Sequence, residues 1–138
     1  MSAQNCIFCK IAVGKLAASI LYEDERLMAI MDAFPATEGH VLIIPKKHAE
    51  NLHDLPEETA AAILPLAQKI ARQLDAALNP AGLNILQNNG KAAGQVVFHY
   101  HLHLIPRYEG DSVSIKCKPY REVTAEELGE LAGMIRKK

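Results

Sequence analysis

Apolar and polar positions change their period several times along the chain, and each change predicts an element. Ile7, Phe8 and Ile11 form a short apolar face that suits one or two helical turns. Two short strand patterns follow at residues 19–23 and 27–32, separated by the polar corner Asp24-Glu25-Arg26, which predicts an antiparallel hairpin. The run His40-Val41-Leu42-Ile43-Ile44-Pro45 is almost continuously apolar and predicts a central strand. Asp54, Pro56, Glu57 and Glu58 mark a helix start, with acids near the positive end of the dipole. Ile63, Leu66, Ile70, Leu74 and Leu78 then recur at helical spacing, giving one amphipathic helix of roughly five to six turns. Pro65 lies inside it and predicts a kink, and Asn79-Pro80-Ala81-Gly82 ends it. Residues 83–88 alternate as a strand, and residues 96–106 form another, joined by the loop at 89–95. After a polar stretch from Arg107 to Glu122, Thr124 and Glu127 form a capping box, and Leu128, Leu131 and Ile135 give a final helix its apolar stripe. Arg136, Lys137 and Lys138 suit the negative end of that helix.

The chemistry concentrates in Phe98-His99-Tyr100-His101-Leu102-His103-Leu104-Ile105-Pro106. On an extended strand His99, His101 and His103 share one face, while Tyr100, Leu102 and Leu104 share the other and pack inward. Neighbouring imidazoles disfavour each other's protonation, so three at period two are costly to keep without a use. Metal chelation, acid–base work and nucleophilic attack by an imidazole are the chemistries open to them.

Composition narrows the class. The 138 residues suit one domain, and 49% apolar with 22% charged residues is ordinary for a soluble globular protein. A net charge of −1 argues against a broad nucleic-acid surface. No apolar run reaches membrane-spanning length, and Met1-Ser2-Ala3-Gln4-Asn5 lacks the basic start and apolar core of a signal peptide, so a cytoplasmic location is expected. Three cysteines do not make a complete disulfide framework. Cys6-Ile7-Phe8-Cys9 can be a redox pair, half a zinc site or two buried thiols, and Cys117 reads as an unpaired thiol. Asp32 ends a strand and opens a loop, where it can terminate the turn or accept two hydrogen bonds from a diol. The loop Asn89-Gly90-Lys91-Ala92-Ala93-Gly94-Gln95 lacks a Gly-Lys-Ser/Thr ending and is not a Walker A loop, but its small residues let backbone N–H groups approach an anion.

Together these residues resemble the histidine-triad (HIT) superfamily of nucleotide hydrolases and transferases. Its pattern, His-φ-His-φ-His-φ-φ with φ apolar, reads here His99-Tyr100-His101-Leu102-His103-Leu104-Ile105. Cys6 to Ile11 looks like the family's opening, Asp32 with Gly39 to His48 like its central segment, and Asn88 to Gln95 like its phosphate loop. The resemblance covers roughly residues 6–107 and is closest to small bacterial-type proteins of the Hint and Fhit kind.

The resemblance implies an α+β fold: an antiparallel sheet with one long packed helix, a C-terminal helix, and a homodimer joined across a two-fold axis. Residues 1–138 would form a single domain, with a core at 6–107 and an extension at 108–138. His101 would attack the α-phosphorus of a nucleoside phosphoramidate or dinucleoside polyphosphate, forming a covalent nucleotidyl-histidine and then releasing a nucleoside monophosphate such as AMP. His103 would contact the phosphate, and His40 would order the triad. Asp32 would accept the ribose hydroxyls, while Asn88 and the backbone around Gly94 and Gln95 would hold phosphate oxygens. Ile7, Phe8, Ile11, Leu16 and Ile30 would enclose a purine base. Some bacterial relatives carry a structural zinc, and the matching residues are Cys6, Cys9, His48 and His99. No catalytic cofactor, nucleic acid or membrane is implied. Activity would fall as pH drops through an imidazole pKa near ~6.5. One departure stands out: many relatives have Ser or Thr where this chain has Val96, so one phosphate donor is lost.

Two other functions compete. A nucleotide-binding module with little turnover has Val96 in its favour. A zinc protein whose histidines are only ligands would not call for Asp32 or the 88–95 loop.

Overall fold

Five strands form one antiparallel sheet in the computed structural model, which describes residues 5–138. The strands are β1 (Ile20–Glu23), β2 (Leu27–Met31), β3 (Val41–Pro45), β4 (Gly82–Leu86) and β5 (Leu102–Arg107), in the order β1-β2-β3-β5-β4. Three helices accompany them: α1 (Ile7–Ala12), α2 (Glu57–Leu78) and α3 (Ala125–Arg136). The absence of a secretory start was read on residues 1–5, of which 1–4 lie outside the described residues. No helix among the described residues is long and apolar enough to cross a membrane.

The continuous apolar runs of β2 and β3 exist because both faces of the sheet are covered. Leu27, Ala29, Val41 and Ile43 pack against Ile63, Leu66, Ala67, Ile70 and Leu74 of α2. The alternate residues Met28, Ile30, Leu42 and Ile44 pack on the opposite face with Cys6 and Phe8. The predicted hairpin joins β1 to β2, and Asp24 closes it by accepting the N–H groups of Arg26 and Leu27, each at 2.7 Å. Helix α2 runs through Pro65 without ending there; it stops at Leu78, where Asn79 turns left-handed with φ 46°.

The histidine strand is shorter than its sequence pattern predicts. Pairing with β3 runs only from Val41↔Leu104 to Ile43↔Leu102. Two positions further on the ladder would meet Pro45, which has no N–H to give. Tyr100 instead donates its N–H to the Ala49 carbonyl at 2.7 Å. Residues 96–101 therefore approach β5 as irregular chain, yet the alternation survives. Tyr100, Leu102 and Leu104 face α2, while His99 and His101 lie against Phe8 on the other side. The strand predicted at 83–88 likewise stops pairing at Leu86.

The loop between β2 and β3 is packed tightly. Gly39 has φ +87°, and a Cβ there would lie 2.5 Å from Leu78 Cδ1 and 3.3 Å from both Leu74 Cδ2 and Pro106 Cγ. Gly39→Ala is expected to destabilise the fold by about 1–3 kcal/mol through strain and overpacking, read as a lower urea midpoint at unchanged slope.

Beyond β5 the chain leaves the body under control. The Arg107 guanidinium bonds both carboxylate oxygens of Asp111, at 2.9 and 2.7 Å, and also Asn84 Oδ1 and the Val113 carbonyl. This pairing holds the Asp111 carboxyl well below the usual carboxylate range. The predicted capping box of α3 is present, with Thr124 Oγ1 accepting from Glu127 N and Glu127 accepting from Thr124 N. The apolar stripe of α3 is not packed, however, and Leu128, Leu131 and Ile135 are all exposed.

Candidate functional site

Hydrogen bonds to fixed backbone groups decide which nitrogen of each histidine carries the proton. His101 Nδ1 lies 2.7 Å from the His99 carbonyl, which can only accept, so Nδ1 bears the hydrogen and Nε2 keeps a free lone pair. His40 Nδ1 accepts the Ala36 N–H at 3.0 Å, so its proton sits on Nε2. That Nε2–H meets His103 Nδ1 at 2.9 Å and lies 3.5 Å from Asp32 Oδ2. His103 accepts at Nδ1, and its own proton therefore sits on Nε2. The rings of His101 and His103 are 4.9 Å apart, so a free lone pair and an N–H donor belong to adjacent imidazoles.

Burial disfavours protonation of all three rings. Burial lowers His103 to about 4, with further lowering from His101 and His40 and a partial offset from Asp32. Burial also lowers His101, against the raising effects of the His99 carbonyl and Asp32. His40 shifts down chiefly through burial, although Asp32 opposes this.

Asp32, His40 and His103 could be taken for a two-histidine, one-carboxylate metal set. The Ala36 N–H argues against it. A metal on His40 Nε2 would need that nitrogen deprotonated while Nδ1 already accepts from Ala36, leaving an imidazolate. Asp32 fills the turn-forming expectation, its Oδ1 accepting the Phe34 N–H at 2.8 Å, while Oδ2 stands 3.5 Å from His40 Nε2.

The 88–95 loop is braced from inside. Gln95 is buried, its Oε1 accepting from Gly90 N at 2.8 Å and its Nε2 donating to the carbonyls of Glu50 and Val97. Its backbone N–H goes to Gly90. The expectation for Gln95 concerned its backbone; that N–H and the side-chain amide both bond groups within the protein and brace the loop. The Asn88 amide donates to the Gly94 carbonyl at 3.3 Å, and Gly94 adopts φ 92°. Among the described residues the N–H groups of Val96 and Val97 bond no protein acceptor. The Val96 side chain is 82% exposed.

The five residues expected around a base divide into two sets. Phe8, Ile11 and Ile30 belong to the apolar cluster beneath the histidines, with Phe8 5.1 Å from the His101 ring. Ile7 and Leu16 are exposed and offer accessible apolar surface.

A second cluster lies behind the triad. Sγ of Cys6 and Cys9 and Nδ1 of His48 and His99 all lie within 4.8 Å of one another. Cys6 Sγ is 3.2 Å from His99 Nδ1, Cys9 Sγ is 3.3 Å from His48 Nδ1, and the two Nδ1 atoms are 3.1 Å apart. A zinc ion with ordinary bond lengths would set such donors roughly 3.3–3.8 Å apart, so the spacing fits tetrahedral coordination. His99 Nε2–H donates to the Pro45 carbonyl at 2.7 Å, which frees Nδ1 for the cluster. Burial and the neighbouring Cys6 push the Cys9 thiol up to about 11, a cost that a divalent cation would remove by stabilising the thiolate. The donor set therefore fits the expected zinc.

Several contributors escaped sequence reasoning: the Ala36 N–H, the Pro45 carbonyl, the His99 carbonyl and the Glu50 carbonyl. All act through the backbone, for which side-chain patterns carry no signal.

The chain belongs to the HIT family: the HIT domain matches residues 13–110. A crystal structure of a HIT family protein from Bacillus anthracis is similar with a TM-score of 0.94 and 46% identity, covering 99% of this chain and 98% of that one. A zinc-bound histidine triad family protein from Mycobacterium smegmatis is similar with a TM-score of 0.76 and 40% identity, covering 99% of this chain and all of that one (100%). The adenosine 5′-monophosphoramidase of Schizosaccharomyces pombe is 44% identical over 103 residues, or 75% of this chain and 74% of its own.

Proposed function

We propose that this protein is a nucleotide hydrolase that cleaves nucleoside phosphoramidates or dinucleoside polyphosphates at the α-phosphorus through a nucleotidyl-histidine. The tautomer of His101 carries this reading. Its Nδ1–H is held by the His99 carbonyl at 2.7 Å, so the nucleophilic lone pair is on Nε2. Nε2 forms a bond to phosphorus as the bond to the leaving amine or phosphate breaks, and water then displaces the imidazole. His103 donates its Nε2–H to a phosphoryl oxygen or the leaving group, and His40 fixes that orientation. Asp32 accepts from the ribose, the Asn88 amide and the N–H groups of Val96 and Val97 receive phosphate oxygens, and Phe8, Ile11 and Ile30 back the base with Ile7 and Leu16 at its edge. The adenosine 5′-monophosphoramidase among the relatives supports a purine nucleotide, with AMP as product.

Incubation with adenosine 5′-phosphoramidate and, separately, diadenosine polyphosphates tests this directly, with AMP release expected from at least one. Tight AMP binding without release would instead favour a binding module. Exposed Val96, an apolar side chain beside the phosphate loop, is the observation behind that alternative.

The acid limb of kcat/KM reports the free enzyme's nucleophile. Protonation removes the Nε2 lone pair, and burial lowers the pKa of His101, so the rate is expected to hold below pH ~6.5 and fall only further down. A limb at or above that value would contradict the buried, neutral imidazole.

Cys6, Cys9, His48 and His99 are the proposed zinc ligands, a closed set with no position for substrate. The zinc-bound mycobacterial relative supports this. Zinc would supply only structural cross-linking of the N-terminal turn to the sheet. The reading in which every triad histidine is a ligand does not fit, because His101 and His103 lie outside this four-donor cluster.

The working unit is proposed as one domain, with residues 6–107 forming the site and 108–138 an extension, assembled as a homodimer. Strand β4 is a sheet edge, and exposed Ile85 on it adjoins exposed Leu64 of α2 in one apolar depression. A second copy covers that surface. Light scattering should give about twice the chain mass of 15.1 kDa, and a monomer at micromolar concentration would contradict the dimer. Free Cys6, Cys9 and Cys117 suit a reducing compartment such as the cytoplasm.

A further inference from the structure

Residues 96–101 hold the nucleophile but have little structure of their own. They lie outside the β-ladder, and among the described residues the Tyr100 N–H bond to Ala49 is their one backbone–backbone tie to the preceding half of the chain. The carbonyl that selects the His101 tautomer is on this segment, at His99. His99 is fixed instead by its side chain. Its ring is fully buried, with Nε2–H on the Pro45 carbonyl and Nδ1 in the Cys2His2 cluster.

The same cluster controls the other side of His101. Helix α1 has only six residues, too short to persist unaided. Cys6 is its N-cap, with Sγ accepting from Cys9 N–H, and both thiols point into the cluster. Phe8 lies between them in sequence, its ring 5.7 Å from His99 and 5.1 Å from His101.

We propose that the Cys6–Cys9–His48–His99 clasp, when closed on its metal, positions the catalytic nucleophile, through the His99 carbonyl on one side of His101 and Phe8 on the other. His99, Cys6, Cys9 and Phe8 are thus positioning residues for the reaction and not only supports of the fold. Opening the clasp frees the His99 carbonyl to move. His101 then samples the tautomer with its proton on Nε2, which has no lone pair there to offer phosphorus. Ligand grip, which rests on Asp32 and the 88–95 loop, is largely spared. The inference depends on His101 being the nucleophile.

The test uses the full chain with nitrogen-labelled histidine, zinc-loaded, stripped by chelator, and reloaded with Zn²⁺. Long-range proton–nitrogen spectra identify each imidazole tautomer, with the His101 signals assigned from H101Q. Zinc-loaded protein should show His101 only as the Nδ1–H tautomer. Stripped protein that retains its circular dichroism should show a mixture, with kcat for adenosine 5′-phosphoramidate down about tenfold or more and AMP affinity changed only a few-fold. Should stripping unfold the chain, Cys9→Asp and Cys9→Ala replace it. The aspartate variant, keeping four ligands, should retain the single tautomer and near-normal kcat, and the alanine variant should lose both. A single Nδ1–H tautomer with unchanged kcat in stripped or Cys9→Ala protein would overturn the proposal, as would a mixture in the zinc-loaded protein or failure to bind zinc. If the loaded protein shows the single tautomer but no turnover, the nucleophile reading fails while the positioning geometry stands.

Discussion

His101→Ala is expected to eliminate AMP release, lowering kcat by about 10⁴-fold or more, because no other group can take the place of the nucleophile in a two-step route. The fold should survive. His101 is only partly buried, and its ring makes one hydrogen bond, to a backbone carbonyl that can be satisfied by water. AMP should still bind within a few-fold of the original affinity, since Asp32, Asn88 and the N–H groups of the 96–97 backbone are untouched. His103→Ala removes a hydrogen-bond donor and not the attacking atom, and a smaller loss of about 10²–10³-fold follows. Rapid kinetics with both variants, beside AMP titrations, measures the contrast. Equal losses for the two would place them in one acid–base role and remove the distinction that the tautomers draw.

Chelation should produce the largest change in stability. A metal held about a thousand-fold above its dissociation constant stabilises the native state by about 4 kcal/mol. For a chain of this size that corresponds to a fall in Tm of roughly 10 °C when zinc is withdrawn, recovered on adding Zn²⁺ and not Mg²⁺. The effect should vanish in Cys6→Ala and Cys9→Ala proteins, whose clasp lacks a thiolate. A Tm indifferent to chelator in tag-free protein, with no stoichiometric zinc by elemental analysis, would leave Cys6 and Cys9 as two buried thiols.

Side-chain pattern made much of this architecture legible before any coordinates. The apolar run at 40–45 marked the central strand because residues on both faces are buried, by α2 on one side and α1 on the other. The i, i+3, i+4 recurrence from Ile63 to Leu78 marked α2, and Thr124 with Glu127 marked the start of α3. What misled was pairing. The alternation from 96 to 106 suggested a strand nearly twice the observed length, since alternation reports which face a side chain takes and not whether the backbone bonds a neighbour. The partner's composition decided that, through Pro45.

The site divided in the same way. The residues that supply side-chain chemistry stood out as motifs, and they converge in two clusters. The sequence placed Gln95 in the phosphate loop by its backbone, and did not announce that its side-chain amide braces that loop through Gly90, Glu50 and Val97. The groups that assign each proton are carbonyls and N–H groups of Ala36, Pro45 and His99, and nothing in residue identity announces them. The mutual repulsion of the imidazoles was legible in the sequence, but burial, the larger cause of their lowered pKa values, was not.

The central claim is that His101 Nε2 bonds phosphorus before water does. Stereochemistry tests this most directly. A phosphoramidothioate of adenosine that is chiral at phosphorus, hydrolysed in water of labelled oxygen, yields a product whose configuration counts the displacements. Two in-line displacements, through a nucleotidyl-histidine, predict retention. Inversion would mean a single attack by water and would contradict the role assigned to His101.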